Sequence, residues 1–138
     1  MSVDANSEPR PGKAAPTLPV HADNNWLPAP FPEWETLLTA CWALDDFTLA
    51  GGPTKVIPGT NALKRYPSPD DLLAEDGAIP IECPAGSIVL WNGSIWHGNY
   101  SRTIEGDRVS LHQTCTRLSF RPVHFGPSRT TANSVKTG

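Results

Sequence analysis

AIPIECPAGSIVLWNGSIWHGNYSRTIEGDRVSLHQTCTRLSF, residues 78–120, sets four β-rich runs in close succession. AIPIECPAG, SIVLWNG, SIWHGN and RVSLHQTCTRLSF are each rich in Val, Ile, Trp or Thr, and Gly, Pro or Asn separates one from the next. Branched and aromatic side chains suit a pleated, half-buried surface, and the separators supply turns. Many short strands divided this way point to a sandwich or barrel. Side chains alternate across a strand, so the last run carries Arg108, Ser110, His112 and Thr114 on one face and Val109, Leu111, Gln113 and Cys115 on the other. A polar inward row in a small barrel marks a candidate site.

Upstream, TLLTACWAL (36–44) is apolar enough for a buried strand, and ALDDFTLAGGP supplies a long turn before a second strand in TKVIPG. NALKRYPSPDDLLAED holds the one helical piece, a short turn opened by Ser68 or Pro69. Residues 1–19 contain Pro9, Pro11, Pro16 and Pro19, a mix that forms neither a helix nor a central strand and predicts an extended arm or loose tail. A small, polar tail over 124–138 closes the chain. The expectation is an all-β domain with minor α content over 20–123, flanked by these two segments.

At 138 residues the chain has room for one core. It is 38% hydrophobic and 18% charged, with five tryptophans, a globular composition. A net charge of −3 without Lys/Arg clusters offers no footprint for nucleic acid or a membrane surface. Cys41, Cys83 and Cys115 are odd in number and widely spaced, so neither a disulfide framework nor a zinc knuckle is suggested. Buried thiols in a reducing compartment are expected, and with no signal-peptide-like or membrane-length apolar run, the cytoplasm is the default location.

In VHADNNW (20–26), His21 and Asp23 stand two apart. On a strand that spacing puts both on one face, where they could converge on one ion, but chance gives a histidine a carboxylate two residues on about one time in ten. His97, between a strand-like SIW and a Gly-Asn turn, reads alone as either a ring over the barrel mouth or a surface histidine. Arg108 changes the weighing. Two imidazoles and a carboxylate on iron(II) leave positions that a dicarboxylic co-substrate can chelate, and the far carboxylate of such a molecule needs a buried cation. Arginine suits that task, being planar and permanently charged. Asp45 and Asp46 read better as turn residues than as an acid and base pair, and His112 as a core histidine near the same face.

Taken in order, His21-x-Asp23, CWALDDFTLAGGPTKVIPGT, and CPAGSIVLWNGSIWHGNYS followed by Arg108 resemble the phytanoyl-CoA dioxygenase family of iron(II)- and 2-oxoglutarate-dependent oxygenases. The resemblance covers roughly residues 18–123. It implies a double-stranded β-helix (a jelly roll, cupin-like), with iron(II) held by His21, Asp23 and His97 and the far carboxylate of 2-oxoglutarate by Arg108, with Ser110 adding a hydroxyl. It also implies O2 and a small-molecule substrate, with no catalytic residue beyond the metal ligands. Asn24, Asn25 and Trp26 follow the ligands directly and are nominated for substrate contact.

Two departures bear on that resemblance. Asn61 stands where the family usually has a histidine. The helices and first strand or strands that precede His-x-Asp in the family are not evident in the short proline-rich N-terminus, which predicts an exposed sheet edge and a possible homodimer. A different reading of the same residues is a cupin-like remnant that binds metal or a partner without turnover. A hydrolytic zinc site is a third reading, but it gives Arg108 no purpose.

Overall fold

The computed structural model describes residues 2–6, by their main chain, and residues 17–117; the tail expected over 124–138 lies outside them. Among the described residues seven strands run in chain order: β1 (Ser2–Asn6), β2 (Leu37–Ala43), β3 (Thr54–Ile57), β4 (Ile79–Pro80), β5 (Ile88–Asn92), β6 (Trp96–Asn99) and β7 (Arg108–Thr116). A 3-10 turn (Thr60–Leu63) and a single short helix, α1 (Pro69–Ala74), interrupt them. Ser68 caps α1 as the sequence suggests: its Oγ accepts from Asp71 N, Asp71 Oδ2 accepts from Ser68 N at 2.7 Å, and Pro69 occupies the first turn.

Two antiparallel sheets result, one ordered β1-β7-β2-β5 and the other β4-β3-β6. This is the double-stranded β-helix expected, with the strands on either side of the long 44–53 turn assigned to different sheets. The four-stranded sheet turns Thr39, Cys41 and Ala43 of β2, Trp91 of β5, and Arg108 and Ser110 of β7 inward, all buried. Register explains the grouping, since Thr39 pairs with Trp91 and Thr114, Cys41 with Val89 and His112, and Ala43 with Ser110. The sheets meet where the rings of Trp91 and His97 lie 5.0 Å apart. Cys41, Ala43, Phe47 and Trp91 form one core cluster. The opposite face of the three-stranded sheet builds another, in which Ile57 and Trp96 pack on Val20, Ala22 and Phe31.

The N-terminal expectation needs adjustment. Residues 2–6, read as part of an arm or tail, lie antiparallel to β7 in register Ser2 to His112 through Asn6 to Arg108. They occupy the edge of the sheet, the position a strand near prolines can take, and all four prolines come later in the chain. The edge beside β7, expected to be exposed, is therefore paired. Asp45 and Asp46 are turn residues as expected: Asp45 Oδ2 accepts from Val109 N, and Asp46 Oδ1 from Ala85 N, each at 2.8 Å.

The segment before β2 extends the three-stranded sheet past β6. His21 and His97 exchange two main-chain hydrogen bonds, of 2.8 and 2.9 Å, and Asn99 N donates to Leu18 O at 3.2 Å. Gly98 permits that approach, because a Cβ there would lie 2.6 Å from the Leu18 carbonyl oxygen and 3.1 Å from that of Pro19. Gly98→Ala is expected to cost about 1–3 kcal/mol, the usual scale of overpacking, read as a lower urea midpoint. An unchanged midpoint would mean that residues 18–21 do not pack on β6 in this way.

Candidate metal centre

The stretch Val20-His21-Ala22-Asp23 is extended, so its residues alternate: Val20 and Ala22 are buried in the core, while His21 and Asp23 face the opposite way. The bridge to β6 then lays this pair beside His97. His21 Nε2 lies 3.5 Å from Asp23 Oδ1, and His97 Nε2 lies 3.6 Å from the same oxygen. The three ligand atoms fall within 4.8 Å of one another, the single such group among the described residues. Coincidence and surface histidine, the competing readings of these residues, give way to convergence on one point.

Each donor is oriented from behind. His21 Nδ1 sits 2.9 Å from the Pro19 carbonyl and His97 Nδ1 3.1 Å from that of Ile95. A ring nitrogen that donates to a carbonyl carries the hydrogen, which leaves the Nε2 lone pair of each ring toward the centre. Asp23 Oδ2 accepts from Trp91 Nε1 at 3.2 Å and from Thr39 Oγ1 at 3.3 Å, so Oδ1 is the oxygen turned to the histidines. Two imidazole nitrogens and one carboxylate oxygen form a donor set suited to a divalent transition metal.

Protonation favours the same end at His97 and Asp23 and opposes it at His21. Burial pushes the His97 pKa down, and the Asp23 charge only partly restores it. Burial works against ionised Asp23, but the His21 hydrogen bond, the His97 charge and the Trp91 indole together hold its pKa below the ordinary value. For His21, burial is outweighed by hydrogen bonds to Asp23 and to the Pro19 carbonyl and by the Asp23 charge, so its pKa lies above the ordinary value. His97 is nearly enclosed, whereas His21 and Asp23 are part-exposed, which opens the centre on their side.

Arg108 is buried at the start of β7, where Nε donates to Gly52 O at 3.1 Å and the guanidinium lies 4.3 Å over the Phe47 ring. Ser110, on the same face, is fully buried, its Oγ 3.2 Å from His112 Nε2. That nitrogen also lies 3.3 Å from Cys41 Sγ, so His112 is hydrogen-bonded within the interior. Asn24 departs from its expected role. It is buried, donates through Nδ2 to Ser94 Oγ at 3.0 Å and accepts at Oδ1 from Thr36 Oγ1, and so ties the segment to the residue just before β2 and to the 92–95 turn instead of contacting substrate. Asn25 and Trp26 are exposed, Trp26 by 64%.

Asn61 lies part-buried in the 3-10 turn, and the neighbouring Thr60 does the local work. Its hydroxyl donates to Ile57 O at 2.7 Å and accepts from Trp96 N at 2.9 Å, which anchors the strand carrying His97. Sequence reasoning missed Trp91 and Thr39. The alternation of SIVLWNG marks Trp91 as inward, but only the packing of two sheets reveals that its indole reaches Asp23.

A family model for phytanoyl-CoA dioxygenase matches residues 3–110. Among curated relatives, "Dioxygenase af480" of Aspergillus fumigatus is 34% identical over 118 residues, covering 83% of this chain and 36% of its own length. An uncharacterized protein of Mycobacterium tuberculosis is 32% identical over 80 residues, 58% of this chain and 29% of that one. The chain thus spans about a third of the length of these relatives. The epimerase SnoN, solved in complex with Fe3+, alpha ketoglutarate and nogalamycin RO, superposes with a TM-score of 0.66 at 19% identity, over 99% of this chain and 58% of its own. EctD from S. alaskensis, solved with 2-oxoglutarate and 5-hydroxyectoine, gives 0.65 at 20% identity, over 85% and 43%. These two likenesses bear on the fold. With the family model matched over most of its length, the chain belongs to the phytanoyl-CoA dioxygenase family.

Proposed function

We propose that this chain carries the iron(II) and 2-oxoglutarate site of an oxygenase that hydroxylates a small organic substrate. The convergence of His21 Nε2, Asp23 Oδ1 and His97 Nε2 carries the reading. Three protein donors leave room on the metal for a chelating co-substrate and O2. Iron and 2-oxoglutarate, when bound, supply the oxidising power: one atom of O2 enters a substrate C–H bond and the other enters the succinate left as 2-oxoglutarate loses carbon dioxide.

The chain's own residues do the positioning. His21 and His97 present lone pairs in a fixed direction, and Trp91 with Thr39 steadies the carboxylate. Arg108, fixed by Gly52 and Phe47, takes the far carboxylate of 2-oxoglutarate, and the Ser110 hydroxyl adds a hydrogen bond. Substrate approaches from the part-exposed side of His21 and Asp23, with Asn25 and Trp26 as its surface contacts. Of the three cysteines expected as buried thiols, Cys41 is buried, Cys83 part-buried and Cys115 exposed; all three are free thiols, which fits a reducing, cytoplasmic setting. A narrower reading of the same three donors is metal binding without turnover.

Purified protein given iron(II), 2-oxoglutarate, ascorbate and air is expected to release succinate, and His97→Ala to abolish that release. Tight iron binding with no succinate from the unsubstituted chain would favour the narrower reading. Trp91→Phe keeps the ring but removes the N–H donated to Asp23, and should weaken iron(II) binding by about 10- to 100-fold, the scale of an outer-shell contact. Loss of stability with unchanged affinity would count against that role.

Affinity for iron(II) should also depend on pH in one direction. His97 is biased neutral and Asp23 ionised, so His21 is the ligand that must lose a proton. Affinity should fall roughly tenfold per unit as pH drops below the raised His21 pKa, with one proton released per metal bound, and level off above it. Competition titrations at several pH values read the slope, and a flat profile through the acid range contradicts it.

A further inference from the structure

Arg102 is buried in the loop that leads into β7, and its fork is spent on main-chain carbonyls. Nη1 donates to Gly51 O at 3.2 Å and Nη2 to Glu105 O at 2.6 Å. The same two loops are laced by Thr103 N to Ala50 O at 2.9 Å and Tyr100 N to Pro53 O at 3.0 Å. The next carbonyl along, that of Gly52, accepts from Arg108 Nε. Two guanidinium groups therefore hold consecutive carbonyls of one turn, one from the loop and one from the strand. Gly52 (φ 68) and Gly106 (φ 87) both adopt the left-handed backbone that favours glycine, one in each of the two loops.

We propose that Arg102 is a positioning residue for co-substrate binding: by pinning the Gly51–Gly52 turn it fixes the carbonyl that aims the Arg108 guanidinium. The inference rests on the assignment of Arg108 to the far carboxylate of 2-oxoglutarate. A guanidinium held at Nε and stacked on a phenyl ring points its fork in one direction, and bidentate recognition is sensitive to that direction. Movement of the Gly52 carbonyl rotates the fork. Arginine suits position 102 because a planar fork reaches Gly51 and Glu105 together, whereas the point donor of an ammonium would keep only part of that hold. A second buried cation on the neighbouring carbonyl also raises the positive potential where the carboxylate binds.

The test is an anaerobic titration of iron(II)-loaded protein with 2-oxoglutarate, read by the visible charge-transfer absorbance of iron chelated by a 2-oxo acid. A parallel titration uses pyruvate, which has the chelating end but no far carboxylate. Arg102→Gln should raise half-saturating 2-oxoglutarate about tenfold, leave iron(II) and pyruvate affinity within about twofold, and add nothing further in an Arg108→Gln background. Arg102→Lys, which keeps the buried charge, should show a smaller loss of the same selectivity. Equal weakening of pyruvate, or weakened iron binding, would make Arg102 a structural residue only and overturn the inference. So would unchanged 2-oxoglutarate affinity in both Arg102 variants beside an impaired Arg108→Gln. If Arg108→Gln itself leaves the preference for 2-oxoglutarate over pyruvate intact, the Arg108 assignment fails and this inference falls with it.

Discussion

The antiparallel bridge between His21 and His97 is the constraint on which the site depends. Two main-chain hydrogen bonds join a segment near the start of the domain to a strand near its end, and side-chain alternation does the rest. Val20 and Ala22 bury themselves on one side, and burial of such side chains supplies the force that holds the segment down. His21 and Asp23 are then turned to the other side with no independent choice. The ligand geometry is a by-product of core packing, and it is as rigid as that core.

The two sheets divide the labour at the centre. The three-stranded sheet and its added segment contribute all three candidate ligands, and the four-stranded sheet contributes what orients them. Trp91 links the two, packing its ring near His97 and lending its N–H to Asp23. Thr39 reaches the same carboxylate oxygen from β2. Hydrogen bonding an ionised carboxylate lets it stay charged in a part-buried place, where an unsatisfied one would take up a proton. Farther along, β7 places Arg108 against Phe47 and Gly52, so a buried cation is held by a ring face and a carbonyl.

Much of this was legible because it is local. Gly, Pro and Asn between β-rich runs located β5, β6 and β7, and Ser68-Pro69 located α1, because turn and cap chemistry depends on near neighbours. The inward row of β7 follows from alternation alone. What was not legible depends on contacts between distant segments. The place of Asn24 after Asp23 nominates it for substrate contact, but Thr36 and Ser94 give its amide two interior partners. The prolines that follow residues 2–6 point to a loose arm, although an edge position beside β7 asks only for an extended main chain. Arg102 carries no motif at all; its role comes from two carbonyls in separate loops.

His21, Asp23 and His97 are proposed to form one iron site to which 2-oxoglutarate adds. X-ray absorption at the iron edge, on anaerobic protein with one equivalent of iron(II), addresses it directly. Such a site predicts nitrogen and oxygen neighbours only, with outer-shell scattering from two imidazole rings, and after 2-oxoglutarate is added an additional carbon shell from a chelating ligand while both imidazoles remain. A spectrum with fewer than two imidazoles, or one that 2-oxoglutarate leaves unchanged, would contradict it.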